Sequence, residues 1–329
     1  MNSKSVLLID VDSKMPNLAL MKISAWHKAR EDQVQLLKYS NLGLLAYNHY
    51  DHVYASAIFA KSKPKCEAIL KLLPHAKVGG YGWNGAKLPD EIEHIMPDYD
   101  LCACPVGILF TSRGCVNNCP WCIVPKMEGK IRDHAPIEEA LRPSQKACIL
   151  FDNAFLDSPR WRENLQYLIS HNIKVDFNQG LDIRAVTEEK ASLLADCDYV
   201  NWKTLKPCLR FSFDLLEIEP QVRRGIQILK DRGIPSNHLF FYVLGDYPDP
   251  NPESVWYRVE LLRELGTMPF IMKYNNRKDD LVLNHMARWN NKRFYKFTEF
   301  LDYDSGNSQK IIREYLKLHP SAFQKGSYQ

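Results

Sequence analysis

Three cysteines, Cys115, Cys119 and Cys122, fall at a C-x3-C-x2-C spacing between Thr111 and Cys122. Thiolates this close in sequence share a metal or cluster, because soft sulfur selects zinc, copper(I) or iron–sulfur centres. A structural zinc takes four closed ligands. Three cysteines would then need a fourth donor, such as Cys102, Cys104 or His134. An iron–sulfur cubane held by three thiolates leaves one iron free to bind something else. The residues between the cysteines suit a tight loop. Gly114 permits a sharp turn, Asn117 and Asn118 tolerate turn geometry, and Pro120 limits the loop's freedom.

At 329 residues the chain is long enough for two domains, and burying a core is no difficulty. A formal net charge of +4 does not by itself imply a nucleic-acid partner. No apolar run approaches the ~20 residues of a membrane helix. The stretch Val6 to Ile9 soon meets Asp10 and Asp12, unlike a signal peptide. Nine cysteines, an odd number, fit a reducing compartment better than a disulfide framework. The expected location is the cytoplasm, with no membrane partner. Cys66, Cys148, Cys197 and Cys208 are scattered singly in apolar settings and read as small buried hydrophobes.

Strands alternate with helices from the first residues onward. Val6–Val11, Val34–Leu37, Val53–Phe59 and Val78–Gly82 read as strands, with helices over Asn17–Arg30 and Pro64–Leu73. That alternation predicts an α/β fold, and residues 1–104 read as a Rossmann-like, doubly wound parallel sheet. No G-x-G-x-x-G follows the first strand, so a dinucleotide site is not expected. Pro89 to Pro105 reads as a linker, and Cys102 and Cys104 as loop cysteines within it.

Residues 105–329 contain six further strands, followed by a C-terminal helical extension. The strands are Val106–Thr111, Ala147–Phe151, Lys174–Phe177, Cys208–Phe213, Leu239–Leu244 and Phe270–Tyr274. Each delivers polar residues at its C-terminal end, where parallel α/β barrels build their sites. The expectation is a partial (β/α)6 barrel of the TIM type.

Trp121 directly precedes the last cysteine. With it, Cys115, Cys119 and Cys122 match C-x3-C-x-aromatic-C, and the chain resembles the radical S-adenosylmethionine (SAM) superfamily over roughly its second two-thirds. The resemblance implies a [4Fe–4S] cluster on the three cysteines with SAM on the fourth iron. It also implies reductive cleavage of SAM to a 5′-deoxyadenosyl radical that abstracts hydrogen from a substrate. A reductant protein such as flavodoxin or ferredoxin would supply the electron. The substrate is not named by the resemblance, and a nucleotide, RNA and a peptide all stay open.

The same resemblance assigns cofactor-binding roles to strand ends. Trp121 lies beside the cluster. Asp152 or Asn153 takes the place of the family's Gly-Gly-Glu stretch and offers an oxygen acceptor. Arg184 faces the SAM carboxylate, with Gln179 and Asp182 nearby, or else Arg184 and Asp182 pair with each other. Asp214 accepts a ribose hydroxyl. Gly245, in Val243-Leu244-Gly245-Asp246, lets the backbone approach the adenine. No residue is assigned as the catalytic group. The N-terminal domain resembles that of cobalamin-dependent members of the family but lacks the Asp-x-His-x-x-Gly loop. A degenerate domain that does not need cobalamin is therefore expected.

Basic and aromatic residues interleave from Lys273 to Phe297. They suit either nucleic-acid stacking or, as the preferred reading, an amphipathic helix that buries its aromatics. The competing function is a zinc-stabilised nucleic-acid-binding module without enzymatic activity.

Overall fold

The computed structural model describes residues 3–45, 49–245, 247, 251–274, 280–304, 306 and 308–324. The chain divides into two compact units, one of residues 1–114 and 123–151, the other of residues 115–122 and 152–329. The expected boundary near residue 104 falls inside the first unit.

The first unit opens with β1 (Ser5–Asp10), α1 (Leu18–Lys28), β2 (Gln33–Lys38), β3 (His52–Ser56), α2 (Lys63–Leu72) and β4 (Lys77–Gly79). The strands form one sheet in the order β2-β1-β3-β4, and every pair is parallel. β1 shows why the sheet is covered on both faces. Its even residues Val6 and Leu8 pack with Leu20 and Ile23 of α1, and its odd residues Leu7 and Ile9 pack with Cys66 and Ile69 of α2. Side chains alternate across a strand, so a continuous apolar run feeds two cores. Asn17 starts α1 by accepting the Leu20 amide at 3.2 Å.

In the order β2-β1-β3-β4 the switch point lies between β1 and β3. There a doubly wound sheet receives ligands at its strand ends. That place is filled by the chain itself. The Asp12 carboxylate accepts the amides of Ile58 (2.8 Å) and Phe59 (3.0 Å). Nearby, a cavity of about 240 Å³ is lined by Asp10, Lys14, Asn17 and Lys38 over apolar walls, and Lys38 pairs with Asp10.

The first unit continues with α3 (Asp90–Glu93), β5 (Gly107–Leu109), β6 (Ser112–Arg113), α4 (Val124–Met127), β7 (Arg132–Asp133), α5 (Ile137–Ala140) and β8 (Ala147–Leu150). β5 pairs with β8 in parallel, and β6 with β7 antiparallel.

The second unit holds α6 (Trp161–Ser170), β9 (Lys174–Phe177), α7 (Glu188–Asp196), β10 (Leu209–Ser212), α8 (Glu219–Asp231), β11 (Leu239–Gly245), α9 (Pro252–Glu264), β12 (Met268–Lys273), α10 (Leu281–Asn291) and α11 (Ser308–Leu318). β10, β11 and β12 form a parallel sheet. All six strands expected beyond residue 104 are present, in an α/β arrangement of parallel sheets. They do not close into a barrel among the described residues. At β9 the physical reason is visible. Val175 exchanges backbone hydrogen bonds with Asp198 and Val200, so the segment 198–200 occupies the edge that a ladder to β10 would need. The β9–β10 seam is instead held by the Leu181 amide on the Arg210 carbonyl (2.7 Å) and by a buried Arg210–Asp176 ion pair. No helix among the described residues is long and apolar enough to cross a membrane.

Candidate metal centre

The cysteine loop, residues 115–122, belongs with the second unit. Its three thiols are half-buried and feel one another's charge. Burial pushes the Cys115 and Cys119 thiols up. The loop is shaped by its own hydrogen bonds. The Asn117 amide faces Cys115 Sγ at 3.4 Å, and the Cys122 amide donates to the Cys119 carbonyl at 3.0 Å. At the end of the first unit, Gly114 has φ +82°, and a Cβ there would lie 2.2 Å from the Lys130 carbonyl oxygen. Its amide donates to Glu128 at 2.9 Å. Only glycine fits this turn.

Glu128 also accepts from Tyr81 (2.5 Å) and from Arg113 (3.2 Å). Arg113 meets Glu93 at 3.4 Å, and Glu93 pairs with the buried Lys22 at 3.0 Å. Burial works against the Glu93 charge, but His134, Lys22 and Arg113 outweigh it and bring its pKa down to about 2. Burial and the Glu128 carboxylate push Tyr81 up to about 12.

The strand exits of the second unit supply the surroundings of the cysteines. After β9, Asp182 accepts from the Arg184 amide (2.9 Å) and from its guanidinium Nε (2.9 Å) and Nη2 (2.7 Å). The same carboxylate accepts from Asn117 Nδ2 of the cysteine loop at 2.7 Å. Burial disfavours the Asp182 charge, yet these bonds prevail and hold its carboxyl below the usual range. The Asp182 hydrogen bonds in turn raise Arg184. Arg184 therefore does pair with Asp182, and its Nη1 edge points away from that pair. After β10, half-buried Asp214 accepts the Leu244 amide at 3.2 Å. Burial raises its carboxyl against the pull of Arg258. The charges of Arg184 and Asp214 both reach the Cys119 thiol.

The aromatic side of the centre was only partly legible in the sequence. Trp121 packs edge-on against Tyr247, 5.0 Å between ring centroids, and Tyr247 against Tyr274 at 5.0 Å. Tyr247 and Tyr274 follow β11 and β12, so one aromatic corner joins the cysteine loop to two strand exits. Gly245, at the end of β11, has a second reason for its size. A Cβ there would come 2.9 Å from the Leu283 side chain of α10. Asp246 lies outside the described residues. Asn153 is half-buried in the turn after Asp152, and Gln179 is exposed. Asp157 was not singled out by the sequence. One of its carboxylate oxygens is buried without a hydrogen-bond partner among the described residues. Burial and the nearby Asp182 charge raise this group.

Two of the three further donors proposed for a zinc site, His134 and Cys104, are engaged elsewhere. His134 Nε2 meets Glu93 at 3.2 Å, and Cys104 Sγ donates to the Val106 carbonyl at 3.4 Å. Among the described residues, no group of three or more His, Cys, Asp or Glu converges tightly enough to hold one metal ion. A single zinc gathers its sulfur ligands at about 2.3 Å from one point. A cubane would place each thiolate on its own iron, and Cys115, Cys119 and Cys122 offer three half-buried thiols on one loop.

The basic and aromatic segment is not one face. Trp289 is fully buried and donates Nε1 to the Thr298 carbonyl at 2.9 Å. Phe294 stacks on Tyr303, and Arg263 covers Tyr295. Trp289 is thus buried as the preferred reading expected, whereas Phe297 is 86% exposed. Arg277 and Lys278 lie outside the described residues.

No family model matches the chain, and no curated protein matches it in sequence.

Proposed function

We propose that the chain is a radical SAM enzyme acting on a substrate that neither sequence nor fold names. The observation that carries this reading is the C-x3-C-x-aromatic-C loop. It is half-buried in the second unit, with the exits of β9 to β12 supplying charged side chains toward Cys119 and rings toward Trp121. When bound, a [4Fe–4S] cluster with SAM on its free iron supplies the electron for reductive cleavage of SAM and hydrogen abstraction from the substrate. Cys115, Cys119 and Cys122 hold three irons as thiolates. The Asn117 amide stabilises charge on Cys115 Sγ. Arg184 keeps one guanidinium edge for an anionic group, with Asp182 fixing its orientation. Asp214, held by the Ser212 hydroxyl and the Leu244 amide, accepts a further hydroxyl. Trp121, Tyr247 and Tyr274 provide faces and edges on which a purine ring can stack. An electron-transfer protein of the flavodoxin or ferredoxin class serves as reductant.

Anaerobic reconstitution with iron and sulfide, followed by dithionite and SAM, tests the reading. About four irons per chain and release of 5′-deoxyadenosine are expected. One colourless zinc per chain and intact SAM would replace it with the zinc-stabilised binding module.

The first unit is proposed to work without cobalamin. Its switch-point amides already hold the Asp12 carboxylate. Its cavity of about 240 Å³ is below the ~300–1,000 Å³ typical even of drug-sized ligands. Titration of the purified chain with hydroxocobalamin should leave the corrinoid absorbance unchanged at equimolar concentrations. Stoichiometric spectral change would show that the amide pair and cavity open for the cofactor.

A further inference from the structure

Between Cys115 and Cys119, the Asn117 side chain is tied to another part of the second unit. Its Nδ2 donates to Asp182 Oδ2 at 2.7 Å, across 65 residues of sequence. Its own backbone amide points at Cys115 Sγ. A single residue therefore fixes the direction of one thiol and anchors the loop. The anchor itself is braced. Asp182 accepts its neighbour's amide in an Asx turn and takes two nitrogens of the Arg184 guanidinium. With four donors on two oxygens, the carboxylate has little freedom to turn. Its side chain is 14% exposed, so these charge-assisted bonds are partly screened from water.

Building a cluster on a three-cysteine loop costs most when the loop must be ordered as the irons bind. A loop held in shape beforehand avoids that entropy. We propose that Asp182 is a positioning residue for the cysteine loop. Through Asn117 it holds Cys115 and Cys119 in the arrangement that accepts the cluster, with Arg184 as its counter-charge. The inference rests on the proposed cluster at Cys115, Cys119 and Cys122. In this arrangement the guanidinium of Arg184 serves the loop first and offers only its remaining edge to a bound anion.

The full-length chain is reconstituted anaerobically with ferrous iron and sulfide. Iron retention is then followed in the presence of a chelator, alongside the electron-paramagnetic spectrum of the reduced protein. Asn117→Ala and Asp182→Asn should each lose iron about tenfold faster than the parent, equivalent to about 1.4 kcal/mol. The double variant Asn117→Ala/Asp182→Asn should be little worse than either single one, because each takes away the charge-assisted Asn117–Asp182 bond. The exchange variant Asn117→Asp/Asp182→Asn restores a donor–acceptor pair with reversed direction. It should recover retention in part and bring the spectrum back toward the parent, which general loss of fold would not do. Unchanged retention in both single variants, or additive losses in the double, would overturn the proposal. If the parent binds one zinc and no cluster, the enzyme reading falls, and the same variants are scored by zinc retention. Equal zinc retention across them overturns the positioning role as well. A parent that takes up neither metal overturns both.

Discussion

Replacing Cys115, Cys119 or Cys122 with alanine should strip most of the iron from the reconstituted protein, while Cys148→Ala and Cys197→Ala should leave it in place. Each loop thiolate is the sole protein ligand of one iron in the proposed cluster, so no neighbour can substitute for it. The control cysteines belong to a different environment. Cys148 lies in β8 with 1% of its surface exposed, and Cys197 closes α7. Burial, with Asp196 and Asp198 adding to it, pushes the Cys197 thiol up to about 12, so it stays protonated and is a poor metal ligand. The measurement is iron per chain by colorimetry after desalting, with the 400 nm region of the absorbance spectrum as a second readout. Equal iron loss from all five variants would mean that iron is bound adventitiously through any thiol, and the cluster assignment would fail.

The parts of this molecule that were legible in the sequence share a local cause. β9 occupies Lys174–Phe177 as expected because four residues of alternating character are bounded by turn residues. The helix start at Asn17 follows from a side chain that accepts the Leu20 amide. The cysteine loop was legible because ligand spacing is itself a local pattern. What was not legible depends on pairs far apart in sequence. Nothing periodic links Asn117 to Asp182, or Trp121 to Tyr247, and each pair forms only once β9 and β11 end at the same centre. The partial barrel depends on the same kind of distant pairing. Six strand–helix units predict the strands, but whether β9 pairs with β10 depends on residues 198–200, which compete for the same backbone edge. Arg184 shows an intermediate case. Pairing with Asp182, two residues earlier, was one of the two readings open for it, and that pair is present.

The β9–β10 seam carries the largest expected loss of stability. Asp176 is 1% exposed and Arg210 7% exposed, and the two side chains pair inside the second unit. Arg210 Nη1 also donates to the Phe177 carbonyl at 3.3 Å, and Asp176 Oδ2 accepts the Trp202 amide at 2.7 Å. Burial alone would favour a neutral Arg210, and Asp176 reverses that, raising its affinity for the proton. Asp176→Ala would leave a buried guanidinium and a buried amide without their acceptor. Removing one partner of such a pair costs about 3–5 kcal/mol, more than the intact pair contributes relative to an apolar one. At roughly 2–4 °C per kcal/mol for a unit of this size, the melting temperature should fall by about 6–20 °C. Asp176→Leu/Arg210→Met removes both charges together and should recover a large part of the loss, because no uncompensated ion remains. Iron loading should follow the same order, since the seam ties together the strand exits whose Arg184 and Asp214 charges both reach Cys119. Differential scanning calorimetry of the three proteins decides the matter. A drop of less than about 2 °C in Asp176→Ala, equivalent to under ~1 kcal/mol, would show that water reaches the seam and that the pair does not hold β9 to β10.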